Sequence, residues 1–339
     1  MKKILVVGGG AMGSAFTIPC LENNNKVTIT EPYSKIFIKN LSSKNKFHSA
    51  LKINLPKKLK FRKFSNGLLK EKFDLIVIAL SLSGIDFIGK QLKNLKIKTP
   101  VLVLTKGLKY EKKNRKILTI SEQLKKNYNI SNVSILKGPC LAKELARKNQ
   151  TSVIVANKNI NKAKQIGKMI STKYYLTEFS RDIIGVEVCS AIKNIFSMAV
   201  GAAKGLCSNN ITEEIREKNY LNTASVLIKQ SVQEMEIFVE HLKGKRETVK
   251  GLAGLGDLYV SSGGGRNSLM GSYIGQGMIF SDAKKNKMLK VTVEGADLAI
   301  EIGKKVNEDF SKKKLPLMLG MINAILEDKK FELDWQYFN

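Results

Sequence analysis

Short apolar runs and longer amphipathic stretches alternate through the first half of the chain. The apolar runs predict buried strands at residues 3–7, 27–30, 73–80, 100–105, 133–136 and 151–156, with a further short strand near 174–177. Amphipathic stretches such as 85–95 and 116–127 predict helices between them. Near-continuous apolar runs are typical of strands that helices cover on both faces. The alternation therefore predicts an α/β fold, a Rossmann-type doubly wound parallel sheet over residues 1–180.

Helical periodicity replaces this alternation in the second half. Apolar residues recur at helical spacing over 183–206, 211–242, 293–306 and 315–326. A chain of 339 residues is long enough for two domains with separate cores. We therefore expect an all-helical domain at 181–339 that binds the substrate and carries catalytic groups.

A glycine signature joins the first predicted strand to the first helix. Gly8, Gly10 and Gly13 stand at the spacing G-x-G-x-x-G, with Ala11 and Met12 between the last two. The first glycine makes a tight turn, the second lets backbone N–H groups approach a pyrophosphate, and the third lets helix and strand pack closely. Because a strand precedes these glycines and a helix follows them, we predict a dinucleotide site here.

A carboxylate, Glu31, ends the second predicted strand. It follows Gly13 by eighteen residues, close to the place where an acidic residue binds the adenosine ribose hydroxyls. A carboxylate there would repel the 2′-phosphate of NADP, so the sequence favours NAD over NADP as the cofactor. The alternative is a solvated glutamate in front of Pro32.

The formal charge of +29 raises the question of a nucleic-acid partner. Lysines make up most of the basic residues and are spread over both halves, without aromatic interleaving or a helix-turn-helix, zinc-finger or RNP signature. This pattern is typical of a composition shifted over the whole chain, so we expect no specific nucleic-acid partner. The surplus charge could still steer an anionic substrate or promote loose contact with acidic lipid.

Cysteine and histidine offer little other chemistry. The cysteines form no C-x-x-C pair and are Cys20, Cys140, Cys189 and Cys207. With only two histidines, His48 and His241, we predict no metal site and no histidine acid–base pair. Reduced thiols and the lack of an uncharged 18-residue run indicate a cytoplasmic protein without a transmembrane helix. Lysine is thus the leading candidate for proton transfer.

One lysine, Lys193, lies in an otherwise small and apolar helix-length segment, residues 185–203. Burying its ammonium without a partner costs several kcal/mol or lowers its pKa by up to roughly 3–5 units. A lysine with a lowered pKa is suited to acid–base catalysis near neutral pH. The alternative is a structural ion pair, for instance with Glu187 or Asp257.

Two loops leave predicted strand ends with chemistry of their own. Lys106 follows the strand that ends at Thr105, and Gly138 follows soon after the strand that ends at Leu136. In open α/β sheets, ligands bind beyond the carboxyl ends of the strands. Lys106 is therefore placed to hold an anionic group or to polarise a carbonyl, with a solvated lysine as the plain alternative. Gly138 brings bare backbone to the start of a helix.

A glycine-rich segment, residues 251–267, carries a further set of polar side chains. They are Asp257, Ser261, Arg266 and Asn267. Arginine matches phosphate oxygens bidentately, as lysine does not, so Arg266 predicts a phosphate group on the substrate. Asp257 and Ser261 are partners for substrate hydroxyls or for the lysine ammonium, and a flexible surface loop is the alternative. Glu294, after the strand-like residues 291–293, is a weaker candidate for a second cofactor contact.

Together these motifs resemble the NAD(P)-dependent sn-glycerol-3-phosphate dehydrogenase family over nearly the whole length. The matching segments are Gly8-x-Gly-x-x-Gly13, Lys106-Gly107, Gly138-Pro139 with Ala142-Lys-Glu144, Val186-Glu with Lys193-Asn194, Gly251-Leu-Ala-Gly-Leu-Gly-Asp257, Gly-Arg266-Asn267 and Val293-Glu294-Gly295. The resemblance implies a Rossmann domain, a helical C-terminal domain and, commonly, a homodimer. It implies the reversible reduction of dihydroxyacetone phosphate to glycerol 3-phosphate with NAD or NADP, which feeds phospholipid synthesis.

The resemblance also implies roles for single residues. Lys193 is the proton acceptor in the oxidation, and Lys106 and Asp257 complete the catalytic set. The substrate-binding residues are Lys106, Gly138, Asn194, Asp257, Ser261, Arg266 and Asn267, the last two at the phosphate. The cofactor-binding residues are Gly8, Gly10, Ala11, Met12, Gly13, Glu31, Lys106, Ala142, Arg266 and Glu294.

The chain departs from the family pattern at two places. Cys140 stands where bacterial members usually carry serine. Arg266 follows Asp257 by nine residues, an interval similar to that of the eukaryotic NAD-linked branch, which agrees with Glu31. The sequence leaves two other functions open: a dehydrogenase of the same plan, of the ketopantoate or 6-phosphogluconate type, and a basic nucleic-acid- or membrane-surface protein that retains the fold.

Overall fold

The computed structural model describes residues 1–33, 46–206 and 220–338. The chain forms two compact units. The first consists of Met1–Lys106 and Ile120–Ile183, and the second of Gly107–Thr119 and Ile184–Asn339. Cys207 and the first part of the helix predicted at 211–242 lie outside the described residues.

A mainly parallel sheet forms the centre of the first unit. The strands of the described chain are β1 (Lys3–Val7), β2 (Lys26–Thr30), β3 (Phe47–His48), β4 (Ile53–Asn54), β5 (Lys60–Phe61), β6 (Leu75–Ile78), β7 (Val101–Val103), β8 (Leu108–Glu111), β9 (Lys116–Thr119), β10 (Val133–Lys137), β11 (Thr151–Ala156) and β12 (Tyr175–Ser180). The sheet has the order β12-β11-β10-β7-β6-β1-β2-β5. Its neighbours pair in parallel except β10 and β11, which are antiparallel. The predicted doubly wound, mainly parallel sheet is confirmed, with one antiparallel pair.

The first strand, β1, lies inside this sheet between β2 and β6. Its last four residues are fully buried, and Ile4 pairs with Val27 on one side and Leu75 on the other. From β1 the strand order runs outwards in both directions. This creates a topological switch point at its carboxyl end, where ligands bind in open sheets. The glycine signature begins there.

The helices of the first unit follow the predicted alternation with one correction. They are α1 (Ala11–Glu22), α2 (Asn66–Lys70), α3 (Gly84–Asn94), α4 (Ile120–Tyr128), α5 (Ala142–Ala146) and α6 (Ile160–Ile170). The helix predicted at 116–127 is wrong at its start, because residues 116–119 form β9 and pair with β8. Ile117 stands opposite Tyr110 in this hairpin, and β-branched and aromatic residues suit such cross-strand pairs.

The second unit is helical apart from the β8–β9 hairpin. Its described helices are α7 (Ile183–Leu206), α8 (Leu221–His241), α9 (Asp257–Ser262), α10 (Arg266–Gly275), α11 (Phe280–Lys287), α12 (Glu294–Asp309) and α13 (Pro316–Leu326). By length and composition α7 could cross a membrane, yet 94% of its most apolar window is buried inside the protein, as in a core helix. Residues 291–293, which the sequence suggested as strand-like, form no strand and lead directly into α12.

Charged and polar contacts attach the β8–β9 hairpin to α12. The Tyr110 N–H donates to Glu301 Oε1 at 3.0 Å, and Lys109 Nζ lies 3.3 Å from the same oxygen. Arg115 Nη2 lies 2.9 Å from Glu308 Oε2. Residues 107–119 therefore belong to the second unit, although the chain on both sides of them belongs to the first.

A buried carboxylate of α8, Glu234, caps α13. It accepts hydrogen bonds from the N–H groups of Leu317 at 2.8 Å and Met318 at 2.7 Å, and from Gln230 Nε2 at 2.9 Å. Since α13 begins at Pro316 without a side-chain cap of its own, Glu234 supplies the acceptor that its first turn lacks. Burial outweighs these hydrogen bonds and raises the pKa of Glu234 from 4.5 to about 7.

We predict that Glu234→Gln makes the stability of the chain less dependent on pH. Between the ordinary pKa of a glutamate and about 7, the folded chain holds one proton more than the unfolded chain. The free energy of unfolding therefore falls as pH rises through this window, by on the order of 3 kcal/mol in all. Glutamine keeps an acceptor for α13 but does not titrate.

Chemical denaturation of the parent and variant between about pH 4.5 and 8 measures this difference. The variant should gain stability relative to the parent as pH rises. Parallel pH profiles of the two proteins would contradict the prediction.

Candidate active site

The glycine loop after β1 has the geometry that a dinucleotide needs. Gly8 has a φ of +117°, and a Cβ on Gly13 would lie 2.1 Å from the Gly8 carbonyl oxygen, so α1 packs directly on the loop. Among the described residues other than its neighbours along the chain, no atom lies within 4 Å of the place of a Gly10 Cβ. Gly10 is the N-cap of α1, and Ala11 and Met12 form its first turn. The N-terminus of α1, with open space beside Gly10, thus favours an anion such as a pyrophosphate.

Glu31 lies beside this loop and is hydrogen-bonded to it. Its Oε2 accepts from the Gly9 N–H at 2.8 Å, and its Oε1 accepts from the Tyr33 N–H at 2.9 Å. The carboxylate is therefore fixed at the end of β2, at the edge of the glycine loop. Each carboxylate oxygen has a further lone pair, so the group can still accept a hydrogen bond from a ribose hydroxyl.

The loops after β7 and β10 carry three more of the predicted residues. Lys106 is half-buried beyond the end of β7, and Ala142 begins α5. Gly138 has a φ of +134°, and a Cβ there would lie 3.1 Å from Val153 Cα. All three follow strands that run parallel to β1, so they lie at the carboxyl edge of the sheet with the glycine loop.

A buried lysine at the carboxyl edge of the sheet, Lys137, is a further candidate site residue, and the sequence analysis did not single it out. It is the last residue of β10, and its Nζ donates to the Leu104 carbonyl oxygen at 3.1 Å and to that of Thr105. The ammonium therefore ties the end of β10 to the residues just before Lys106. The only signal in the sequence was a lysine at the end of an apolar strand, directly before Gly138.

In the second unit, the predicted lysine of α7 is buried and paired. Lys193 is 5% exposed; its Nζ lies 3.0 Å from Asp257 Oδ1 and also donates to Ser261 Oγ. Asp257 and Ser261 stand one turn apart on α9, so one helix face presents both. The sequence left an unpartnered amine and an ion pair open, and the structure shows the ion pair with Asp257. A paired carboxylate compensates the ammonium for its loss of water.

A π-helical turn, Leu252–Gly256, leads into α9 and sets the position of Asp257. Gly254 packs against the preceding backbone, since a Cβ there would lie 2.0 Å from the Val249 carbonyl oxygen. The glycines predicted to form a close turn around Asp257 therefore form a widened helical turn. Single π turns are frequent at functional sites.

The residue that follows the buried lysine, Asn194, belongs to a second network. Asn267 Nδ2 donates to Asn194 Oδ1 at 3.0 Å, and the Gly295 N–H donates to Asn267 Oδ1 at 2.9 Å. Glu294 Oε2 accepts from Asn194 Nδ2 at 3.3 Å, and Glu294 Oε1 lies 3.0 Å from Arg266 Nη2. The Asn267 side chain thus joins α7, α10 and α12, and both of its ends have protein partners.

Arg266 begins α10, and its side chain is 54% exposed. The N-cap, Gly265, carries no side chain that could accept from the first N–H groups of the helix. A guanidinium and a helix N-terminus both favour anions. Because Glu294 is half-exposed as well, solvent screens its ion pair with Arg266, and a phosphate can take its place.

Glycines bring α7 and α10 into backbone contact. A Cβ on Gly271 of α10 would lie 1.9 Å from the Met198 carbonyl oxygen of α7, and a Cβ on Gly201 of α7 would lie 2.3 Å from the α10 backbone. Side chains are therefore excluded where the helices cross. This close approach allows the hydrogen bond between Asn194 and Asn267.

The structure thus joins some of the predicted site residues into two hydrogen-bonded networks. One contains Lys193 and the other contains Asn194, the next residue of α7. Their members are Lys193, Asn194, Asp257, Ser261, Arg266, Asn267 and Glu294. The others lie in the first unit, at the carboxyl edge of the sheet: Gly8, Gly10, Ala11, Met12, Gly13, Glu31, Lys106, Gly138 and Ala142. In the part of the chain that the structure describes, no group of His, Cys, Asp and Glu side chains could hold a metal ion.

A dinucleotide loop on a doubly wound sheet in the first unit and a buried lysine in a polar network in the second are features of nicotinamide-dependent dehydrogenases. Family models agree. The N-terminal model of NAD-dependent glycerol-3-phosphate dehydrogenase matches residues 3–163, and the C-terminal model matches residues 182–333. The chain belongs to the NAD-dependent glycerol-3-phosphate dehydrogenase family, and it is an NAD(P)-dependent enzyme.

Individual relatives are similar over nearly their whole length. The NADP(+)-dependent glycerol-3-phosphate dehydrogenase of Archaeoglobus fulgidus is 30% identical over 317 residues, which cover 90% of this chain and 91% of that protein. The glycerol-3-phosphate dehydrogenase [NAD(P)+] of Clostridium botulinum is 30% identical over 348 residues, which cover 98% and 100%.

Solved structures share the fold. The glycerol-3-phosphate dehydrogenase of Coxiella burnetii has a TM-score of 0.80 at 23% identity, covering 99% of this chain and 97% of that one. The enzyme from Saccharomyces cerevisiae has a TM-score of 0.83 at 18% identity, covering 100% and 99%.

We predict that Gly271→Ala destabilises the second unit and loosens the network around Asn194. The added methyl group would overlap a backbone oxygen of α7, and such overpacking costs typically about 1–3 kcal/mol. Gly67→Ala in α2 is the matched control, because its Cβ would meet only Ser65 Oγ at 3.8 Å. Alanine is favoured over glycine inside a helix, so this control should keep or raise stability. Denaturant unfolding measures both, and a Gly271→Ala protein as stable as the parent would refute the backbone contact.

Proposed function

We propose that the chain catalyses the reversible reduction of dihydroxyacetone phosphate to sn-glycerol 3-phosphate, with NADH as the preferred cofactor, and so supplies glycerol phosphate for phospholipid synthesis. The observation that carries the proposal is the buried Lys193 ammonium, 3.0 Å from Asp257. A proton donor shielded from water is what the reduction of a ketone requires. Arg266, at the N-terminus of α10 in the same unit, supplies the match for a phosphate.

The residues of the first unit bind the cofactor, which supplies a hydride when bound. The N–H groups from Gly10 to Met12 and the N-terminus of α1 bind the pyrophosphate. Glu31, fixed at the loop by its hydrogen bond from Gly9, accepts from the ribose hydroxyls. Its negative charge disfavours a 2′-phosphate, which supports a preference for NADH over NADPH. Lys106 and Ala142, at the same sheet edge, complete the contacts.

The residues of the second unit bind the substrate and move the proton. Arg266 and the start of α10 bind the phosphate, which replaces Glu294 as the partner of the guanidinium. Asn194 and Ser261 bind oxygens near C2. Lys193 would donate a proton from Nζ to the C2 oxygen in the reduction and accept that proton back in the oxidation. Asp257 holds the ammonium in position in both directions.

Charge and assembly complete the proposal. The net charge of +29 attracts a doubly negative substrate and raises its rate of encounter. We propose that the enzyme acts in the cytoplasm as a homodimer, the assembly that the family resemblance implies.

We predict that the purified chain oxidises NADH in the presence of dihydroxyacetone phosphate, and that NADPH reacts more slowly. Lys193→Met should lower kcat by at least about 10²–10⁴-fold, because general acid catalysis contributes that much, while NADH binding stays nearly intact. Initial rates of NADH consumption measure turnover, and fluorescence titration measures NADH binding. Wild-type turnover in the variant would remove Lys193 from its role, and inertness of the parent towards this substrate would overturn the function.

We predict that Arg266→Lys raises the KM for dihydroxyacetone phosphate by roughly tenfold with a smaller effect on kcat. Lysine keeps the charge but loses the paired geometry, and a charge-assisted hydrogen bond contributes about 1.5–3 kcal/mol. Arg246→Lys is the matched control, since Arg246 is also a half-exposed arginine with glutamate partners, Glu236 and Glu240. An unchanged KM in the Arg266 variant, or an equal rise in the control, would argue against the phosphate assignment.

A further inference from the structure

A histidine outside every motif of the sequence reaches the glycine loop. His48 ends β3, in a short hairpin in which it pairs with Ile53 of β4. The residue is 4% exposed. Its Nε2 lies 3.2 Å from the Gly9 carbonyl oxygen, 39 residues away in sequence. A buried imidazole is therefore in hydrogen-bond contact with the loop that receives the pyrophosphate.

The partners of the two ring nitrogens identify which group donates. The Gly9 carbonyl oxygen can only accept, so His48 Nε2 must be the donor of this hydrogen bond. The Leu51 N–H is shared between the His48 carbonyl oxygen at 3.2 Å and Nδ1 at 3.3 Å, which agrees with Nδ1 as an acceptor. In a neutral imidazole the proton then resides on Nε2, which makes Nε2–H the donor to the Gly9 carbonyl. The β3–β4 hairpin thus holds the tautomer that the glycine loop needs.

The Gly9 backbone is held from both sides. Its N–H donates to Glu31 Oε2 at 2.8 Å, and its carbonyl oxygen accepts from Ser14 Oγ at 2.9 Å as well as from His48. The Gly9 carbonyl belongs to the same peptide plane as the Gly10 N–H, and in a trans peptide the two groups point in opposite directions. Fixing the carbonyl therefore fixes the direction of the Gly10 N–H. Apart from its neighbours along the chain, a Cβ on Gly10 would meet no atom of the described residues within 4 Å.

We propose that His48 is a positioning residue of the dinucleotide site. Its Nε2–H holds the Gly9 carbonyl so that the Gly10 N–H is aimed at the pyrophosphate before the cofactor arrives. Such preorganisation increases affinity because the loop loses less freedom on binding. The inference rests on the cofactor site of the proposed function but not on the identity of the substrate.

Two variants separate the hydrogen bond from simple packing. His48→Met fills the site without a donor, whereas His48→Gln places an amide donor close to the position of Nε2. Loss of one hydrogen bond corresponds to about a three- to tenfold change in affinity. His48→Met should therefore raise the Kd for NADH by about that factor, and His48→Gln should restore most of it. The chain's other histidine, the half-exposed His241 that contacts Asp309, provides the control variant His241→Met, which should bind NADH as the parent does.

Fluorescence titration with NADH alone, in the absence of substrate, measures the Kd for NADH. Steady-state kinetics then measure the KM for NADH and kcat. The KM for NADH should rise in His48→Met while kcat changes less than twofold, as a positioning role requires. An affinity in His48→Met equal to that of the parent would overturn the inference, and so would a failure of His48→Gln to restore binding, because packing alone would then explain the histidine. If the parent chain itself did not bind NADH, the cofactor site of the proposed function would fail instead.

Discussion

One positive charge held away from water constrains the second unit. The Lys193 ammonium is almost fully buried, so it needs a carboxylate within contact distance, and Asp257 provides it. Asp257 can do so only if α9 begins at a position that brings its carboxylate to Lys193. The π-helical turn before α9 sets that position. Ser261 then follows one turn later on the same face. The ion pair that compensates the buried charge thus also orients the lysine that we propose as the proton donor.

The polar residues around this pair have partners within the protein before any ligand binds. Asn267 joins Asn194 to the first turn of α12, and Glu294 lies between Asn194 and Arg266. In the proposed function, a bound substrate would therefore exchange one partner for another and would not have to order a loose site. The backbone contact between α7 and α10 makes the arrangement rigid, because no flexible side chain separates the two helices.

Local patterns predicted the sheet and the glycine loop because their causes are local. The residues of β1, the glycine loop at 8–13 and the helix α7 can each be predicted from the pattern of residues that are close together in the sequence. Long-range partners were different: the sequence placed Lys193 in an apolar helix but left its partner open between Glu187 and Asp257. The contact between His48 and Gly9 and that between Asn194 and Asn267 span 39 and 73 residues, and no periodicity records them. At 116–119, pairing with β8 overrode the helical pattern.

The attachment of the β8–β9 hairpin to α12 bears on how the protein is made. Tyr110 and Glu301 are 191 residues apart, and at about 5–20 residues per second the ribosome needs roughly 10–40 s to synthesise the chain between them. An isolated two-stranded hairpin is at best marginally stable in water. The nascent chain therefore keeps this hairpin without its helical support through most of translation, and the second unit can close only when synthesis is almost complete.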